Sequence, residues 1–442
     1  MKFEILVLLI NFMLLPILSF ANSANRGIGH NVIMTEISAN RVPAHIMSDL
    51  VETIKGNYTN RRKVINTHDF TGDGIEDKVI CHIESNNDLG FEIINGVNDR
   101  LFYQWVDTPS QSNASVKKVH WDCAVAELEP GRAAVFTALG GAGPNGVRYN
   151  EQQVLHYVNN LGGISRHNMI RPNVNPFAGP TMVPLVAAAR GITCTEYPQN
   201  FVKNWGYRNG ALCFIAAYDS ATENGTGTYT MLLKIEILNG QIYNTDLTQS
   251  SGLPWVGGYY GTSMYSSSLP PRWNSGSSNN LSMMAGAFVD IDRDGYMDLV
   301  TGGAHSEIFS FKMKPNTARS NGIEFTRTSL GYGYTHNLQA LSAMDPLVDS
   351  TCVFFGEENL VNGKFSHLRC ALSNGKWARY DFPGGKIKSN NSPMNIRLDE
   401  YDNIYLYVSR NSANPNNPTP EFYYIETGEM GRKLTSIVGP LL

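Results

Sequence analysis

The sequence predicts an all-β fold, and within that class a β-propeller of six or seven blades. Strand-like runs in which apolar and polar residues partly alternate are joined by turns rich in glycine and aspartate, while long helical patterns are nearly absent. A strand–turn–strand unit recurs along the chain. Its copies are centred near Asp69, Glu127, Cys194, Asp290, Asp345 and Asp399.

The spacing of these copies indicates how the chain is organised. Four of the five intervals are 54 to 67 residues long, close to the length of a four-stranded propeller blade with its loops. The interval of 96 residues between Cys194 and Asp290 leaves room for an insertion or a degenerate extra blade at about residues 241–282. We therefore expect one propeller domain over residues 22–442, with six blades or, by preference, seven.

The N-terminal residues are typical of a secretory signal peptide. Lys2 precedes an apolar run from Ile5 to Phe20, and small residues at Ser19 and Ala21 favour cleavage after residue 21. A buried strand or an uncleaved anchor is the alternative. With residues 1–21 removed, no apolar segment is long enough to cross a membrane. The sequence thus predicts a secreted protein, extracellular or periplasmic, with no integral membrane segment after signal cleavage.

Charge and cysteine content agree with that location. The formal net charge is −4 and the basic residues are scattered, which argues against a nucleic-acid partner. An even number of cysteines, six, in an exported chain indicates disulfide bonds, with free buried thiols as the alternative if the chain is not exported. Hairpin-like separations favour two pairs and elimination leaves the third: Cys194–Cys213, Cys352–Cys370 and Cys81–Cys123.

Two acidic loops have the chemistry of a calcium site. Calcium prefers six to eight oxygen ligands, and carboxylates at alternate positions converge on one point where a glycine lets the chain turn sharply. The loop around Gly295 offers the carboxylates of Asp290, Asp292, Asp294 and Asp298 and the carbonyl of Tyr296. The same offsets around Gly74 give Asp69, Thr71, Asp73, the carbonyl of Ile75, and Asp77. An acidic turn that binds nothing is the alternative, and the repetition of the pattern argues against it.

Both segments resemble FG-GAP or VCBS repeats, the calcium-loop blades of integrin α-chain head domains and of many exported bacterial proteins. The resemblance covers these two blades well and the remaining copies faintly. It implies a propeller in which calcium pins the turn between two blade strands and has a structural rather than a catalytic role. The degenerate copies lack the full ligand set, so no calcium is assigned to them.

The function expected of such a propeller is the binding of an extracellular glycan or protein ligand. Flat aromatic rings among glycines and serines suit this role, because they bury sugar rings or partner side chains with little loss of entropy. The candidates are Trp255, Tyr259, Tyr260, Tyr265 and Trp273. The same rings could instead pack the insertion onto the propeller.

An enzyme is the alternative function, namely a propeller lyase or hydrolase acting on carbohydrate or lipid. The chain contains no H-E-x-x-H, G-x-S-x-G or Walker-type sequence. His68 and Asp69 are adjacent, but neighbouring residues of a strand point to opposite faces, so they are not expected to form an acid–base pair. No catalytic residue is assigned.

Overall fold

The protein is known from a computed structural model, in which β-strands dominate. It describes residues 33–47, 62–83, 89–107, 118–142, 154–158, 164–168, 188–222, 225–247, 250–253, 256–257, 285–292, 294–302, 306–316, 318, 322–333, 352–355, 367–371, 377–381, 394–398, 404–410 and 419–426. The predicted signal peptide lies outside these residues. Among them, helical structure is confined to residues 39–41, 44–47 and 199–205, which confirms the all-β prediction. No helix of the described part is long and apolar enough to cross a membrane.

The described strands form six antiparallel sheets, named I to VI here in chain order. The first strand, β1 (Ile33–Ile37), belongs to sheet VI. Sheet I contains β2 (Arg62–His68), β3 (Asp77–Ile83), β4 (Leu89–Ile94) and β5 (Leu101–Asp107). Sheet II contains β6 (Lys118–Glu129), β7 (Arg132–Ala142), β8 (Val154–Val158) and β9 (Ile164–Asn168).

Sheet III is the largest of the six. It contains β10 (Ala188–Glu196), β11 (Ala211–Thr222), β12 (Gly225–Leu238) and β13 (Gln241–Asp246), with β14 (Val256–Gly257) paired to β12. Helix α1 (Gln199–Trp205) lies in the connection from β10 to β11. The start of the interval at residues 241–282 thus supplies the fourth strand of this sheet.

In the last three sheets the strands again follow one another along the chain. Sheet IV contains β15 (Ala285–Val289), β16 (Asp298–Gly302), β17 (Ser306–Pro315) and β18 (Ile323–Gly333). Sheet V contains β19 (Cys352–Phe355), β20 (His367–Ala371) and β21 (Trp377–Asp381). Sheet VI contains β22 (Met394–Leu398), β23 (Ile404–Arg410) and β24 (Thr419–Glu426).

Every sheet is a meander in which strands adjacent in sequence are adjacent in space, with two exceptions: β14 of sheet III pairs with β12, and sheet VI has a fourth strand from near the start of the described residues. Strand β1 pairs antiparallel with β24, with Ile33 opposite Glu426 and Ile37 opposite Phe422. The first and last described strands therefore belong to one sheet. Strand β22 of the same sheet also contacts β2 of sheet I.

Sheet II is buried on both faces, and the two-residue period of a strand divides its side chains between two cores. Cys123, Val125 and Val135 pack with residues of sheet I such as Val79 and Phe91. The alternate residues pack against sheet III. They are Ala124, Ala126, Leu128, Ala134 and Phe136.

Sheet III repeats this arrangement one step further along the chain. Cys213 and Ile215 of β11 lie in the core shared with sheet II, whereas Leu212 and Phe214 of the same strand lie in a core shared with sheet IV. Phe288, Leu299, Phe309, Phe311 and Met313 are the main contributions of sheet IV to that core. Consecutive sheets from I to IV are therefore packed face to face.

The ends of the first strands of sheets I, II and III meet. Nε2 of His68, at the end of β2, lies 3.0 Å from Oε1 of Glu196, at the end of β10. The same oxygen accepts a hydrogen bond of 3.2 Å from the backbone N–H of Glu127 in β6. Although burial opposes ionisation of Glu196, its hydrogen bonds with His68 and Glu127 hold its pKa below the ordinary value. Three sheets thus converge on one carboxylate.

Two of the predicted disulfide bonds are confirmed. Cys194 and Cys213 are bonded and lie opposite each other in the pairing of β10 with β11. Cys81 and Cys123 are bonded between β3 and β6, so this bond joins sheet I to sheet II inside their common core. The backbones of Cys352 and Cys370 are opposite each other in the pairing of β19 with β20, and their bond stays a prediction.

Removal of the bond between sheets I and II should destabilise the protein. It closes a sequence separation of 42 residues, so the Cys81→Ala/Cys123→Ala variant should lose on the order of 4 kcal/mol of unfolding free energy in urea titrations. Peptide mapping without reduction is the matching chemical test, and it should also show a Cys352–Cys370 peptide. An unchanged urea midpoint would mean that the packing of the two sheets alone fixes their arrangement.

Candidate metal centre

The two acidic loops occupy the same place in their sheets. Residues 69–76 connect the first and second strands of sheet I, and residues 290–297 connect the first and second strands of sheet IV. Gly74 and Gly295 have φ angles of 85° and 84°. This is the left-handed region, which glycine enters without the steric cost that a side chain imposes. The two glycines predicted to turn the chain therefore do so in the same conformation.

The first aspartate of each loop folds the loop onto its own carboxylate. In sheet I, Asp69 accepts backbone hydrogen bonds from Asp73 through Oδ1 (3.3 Å) and from Gly74 through Oδ2 (2.7 Å). In sheet IV, Asp290 accepts them from Asp294 through Oδ1 (3.1 Å) and from Gly295 through Oδ2 (2.9 Å). The loops are thus shaped by equivalent bonds.

The last aspartate of each loop is buried and ties the loop to the third strand region of its sheet. Asp77, 1% exposed, accepts backbone hydrogen bonds from Phe70 (2.7 Å) through Oδ2 and from Gly96 (2.9 Å) through Oδ1. Asp298, also 1% exposed, accepts them from Ile291 (3.1 Å) through Oδ2 and from Met313 (2.7 Å) through Oδ1. The carboxylates of Asp77 and Asp298, which close the two loops, therefore accept hydrogen bonds from backbone N–H groups at equivalent positions.

The second loop concentrates negative charge. One oxygen from each of Asp290, Asp292 and Asp294 lies within 4.8 Å of the others, which is the one such acidic group among the described residues. Burial raises the pKa of Asp298 to about 7, and the neighbouring charges of Asp294 and Asp290 add to this rise. Burial likewise raises the pKa of Asp294. A bound cation would relieve both the burial and the repulsion of these carboxylates.

The first loop has fewer carboxylates and a hydroxyl in their midst. Oγ1 of Thr71 lies 3.4 Å from Oδ1 of Asp69 and 3.4 Å from Oδ1 of Asp77. Asp73 is exposed, and hydrogen bonds from the side chain of Asn95 and the backbone of Ile75 lower its pKa. Oxygens from alternate positions of the loop are therefore close together, as oxygen ligands of one hard cation must be.

The residues predicted to contribute backbone carbonyls also occupy equivalent positions. The backbone N–H of Ile75 donates to Oδ1 of Asp73, and that of Tyr296 donates to Oδ1 of Asp294, each at 3.0 Å. The ring of Tyr296 stacks on Phe201 of α1 with centroids 5.0 Å apart. This contact anchors the second loop to the neighbouring sheet.

A nitrogen-bearing side chain from outside each loop reaches its acidic residues. Nδ2 of Asn95 donates to Oδ2 of Asp73 (2.6 Å) and to Oγ1 of Thr71 (3.0 Å). Nζ of Lys312 contacts Oδ2 of Asp292 and lies 3.9 Å from Oδ2 of Asp294. Neither residue could be identified from the sequence, because Asn95 directly follows β4 and Lys312 lies in β17, and the register of these strands with the loops is not visible in the sequence.

The remaining predicted residues are not assembled here. The five aromatic candidates of the Trp255–Trp273 loop lie outside the described residues, as do Asp345 and Asp399 of the degenerate copies. Glu127 and Glu129 belong to β6, and Glu129 forms an ion pair of 2.8 Å with Arg132 across a tight hairpin turn. His68 pairs with Glu196 rather than with its neighbour Asp69.

No protein-family model matches the chain, and no curated protein matches it.

Proposed function

We propose that this protein is a secreted β-propeller of the FG-GAP/VCBS type whose blade loops bind calcium and which binds an extracellular glycan or protein. The observation that carries the proposal is the equivalence of the two acidic loops. They join the same pair of strands in sheets I and IV, and their first and last aspartates accept equivalent backbone hydrogen bonds. The repetition of four oxygen-bearing side chains at the same offsets in two sheets is what a site for a hard cation would require.

The propeller is supported by how the sheets meet. Sheets II and III each bury both faces against their neighbours in sequence, as blades do. The first strands of sheets I, II and III converge on Glu196, as innermost strands around a central axis would. The pairing of β1 with β24 and the contact of β22 with β2 would close such a ring. Each described sheet then corresponds to one blade.

Calcium is the cation that these loops suit best. It accepts six to eight oxygens in flexible geometry, whereas magnesium requires a near-ideal octahedron and retains its waters. Asp69, Thr71, Asp73 and Asp77 would hold one ion, with the carbonyl of Ile75. Asp290, Asp292, Asp294 and Asp298 would hold another, with the carbonyl of Tyr296. Each ion would pin the first two strands of its blade and have no part in catalysis.

Secretion is supported by the predicted signal peptide together with the disulfide bonds of Cys81–Cys123 and Cys194–Cys213. Such bonds persist in oxidising compartments and are rare in the cytosol. An extracellular location also supplies calcium at concentrations that modest sites can use.

The ligand-binding part of the proposal is tested on the aromatic loop. Recognition usually resides in loops on a rigid scaffold, and the Leu253–Asn274 segment has five aromatic residues among its glycines, serines and prolines. Changing Trp255 and Trp273 to Ala should abolish binding to the glycans or cell surfaces that retain the wild type in a glycan array and a cell-binding assay. The calcium-dependent melting temperature should not change.

Two outcomes would contradict this placement of the ligand site. If the variant loses both ligand binding and the calcium-dependent rise in melting temperature, the rings pack in the core. Unchanged binding by a well-folded variant would place the site on another part of the surface. A turnover assay on polysaccharides, run on the same samples, separates the binding function from the alternative of a lyase or hydrolase.

A further inference from the structure

Asn95 and Lys312 occupy the same position relative to the two loops. In the antiparallel pairing of β3 with β4, Lys78 is opposite Ile94, which places Asp77 opposite Asn95. In the pairing of β16 with β17, Leu299 is opposite Phe311, which places Asp298 opposite Lys312. The next residues, Gly96 and Met313, donate the equivalent backbone hydrogen bonds to the closing aspartates.

The two residues differ in charge. Asn95 places a neutral amide among the oxygens of the first loop, whereas Lys312 places an ammonium among the carboxylates of the second. An ammonium is a compact point charge on a flexible stem of four carbons, and it carries three donors. It contacts the same carboxylates, Asp292 and Asp294, that a divalent cation would need.

We infer that Lys312 is a built-in competitor of calcium at the second loop, an inference that rests on the proposed calcium sites. With its ammonium in place, part of the negative charge of the loop is offset in the absence of metal. Calcium enters only when the ammonium leaves, because two cations cannot share the oxygens of Asp292 and Asp294. The side chain of Lys312 is 48% exposed, so it can swing into solvent without disturbing the core.

The two loops should therefore differ in how strongly their stability depends on calcium. The first loop has the neutral Asn95 where the second has Lys312, so calcium would offset more of the charge of its carboxylates. The second loop keeps its shape without calcium and responds to it less. Lys312 therefore sets the calcium affinity of its blade and makes that blade tolerant of calcium depletion.

The test compares Lys312→Met with Lys314→Met. Lys314 is the matched control, since it lies on the same strand, is equally exposed at 48%, and pairs with Glu324 rather than with the loop (3.7 Å). Terbium, a calcium substitute, is the site-specific probe. Its luminescence is sensitised by a nearby tyrosine, and Tyr296 is in the second loop where the first has Ile75. The Tyr296→Phe variant identifies the signal.

Lys312→Met should bind terbium, and calcium in competition with it, about tenfold more tightly at the second loop, which corresponds to about 1.4 kcal/mol. Without metal it should melt at a lower temperature than wild type, because the carboxylates lose their counter-ion, and calcium should raise that temperature by more than in wild type. Lys314→Met should match wild type in both. The reverse change, Asn95→Lys, should weaken calcium binding at the first loop by a similar factor in calorimetry.

The possible failures are distinguishable. If wild type and Lys312→Met bind calcium at the second loop with equal affinity, Lys312 is not a competitor and the calcium sites stand. If Lys312→Met binds neither calcium nor terbium, this inference and the proposed calcium site are both overturned.

Discussion

A chain that lacks β1 is expected to lose on the order of 5 kcal/mol of unfolding free energy, because the β1–β24 ladder has five residue pairs at about 1 kcal/mol each. The reason is topological as well as local. Strand β1 completes the sheet that contains the last described strand, so without it the edge of β24 has lost its partner. In a closed ring this pairing joins the two ends of the chain, and its loss would open the ring.

Truncation of the chain tests the contribution of β1 to stability directly. Chains beginning at residues 22 and 38 should be compared by urea unfolding and by limited proteolysis, the first being the predicted mature protein and the second lacking β1. The shorter chain should unfold at lower urea and be cleaved first within sheet VI. A synthetic peptide of residues 28–38, added in excess, should restore part of the lost stability by adding back the strand. Equal stability of the two chains would contradict closure by β1.

Removal of calcium is expected to have the second large effect. A ligand that binds only the folded state stabilises it by RT ln(1 + [L]/Kd), roughly 2.7 kcal/mol per site at a hundredfold excess over Kd. EGTA should therefore lower the melting temperature of the purified mature protein by several degrees. Calcium should restore it better than magnesium does.

Single substitutions should show how much each loop contributes to the calcium-dependent rise in melting temperature. Asp73→Ala and Asp294→Ala should each remove part of the calcium-dependent rise in melting temperature, because each deletes a ligand of one loop. Asp246→Ala is the control, an exposed carboxylate at the end of β13 and outside both loops. Identical melting with and without chelator, in protein first stripped of metal, would contradict the calcium sites.

The conformation of the two acidic loops could be predicted from sequence because each is a contiguous segment. Offsets within it fix which oxygens meet, and Gly74 and Gly295 have the conformation that those offsets require. The Cys194–Cys213 bond was predictable for a similar reason, since a separation of 19 residues suits one hairpin. In both cases the residues involved are close together in the sequence, so their spacing alone was sufficient for the prediction.

What the sequence did not reveal depends on register and on contacts between sheets. Asn95 follows Asp77 by 18 residues and Lys312 follows Asp298 by 14, because the intervening hairpins differ in length, so no common offset marks them. Glu196 meets His68 across 128 residues, a contact that only the packing of successive sheets creates. The Cys81–Cys123 bond has the same origin and was reachable only by elimination.

The central claim, that calcium binds both loops of a ring of sheets, is tested most directly by an anomalous difference map from crystals grown in calcium. The account predicts one peak among Asp69, Thr71, Asp73 and Asp77, and a second among Asp290, Asp292, Asp294 and Asp298, with Lys312 displaced from the second. Oxygen distances should be about 2.3–2.6 Å. A map with calcium peaks elsewhere and none at either loop, with the Asn95 and Lys312 side chains still hydrogen-bonded to the carboxylates, would contradict it.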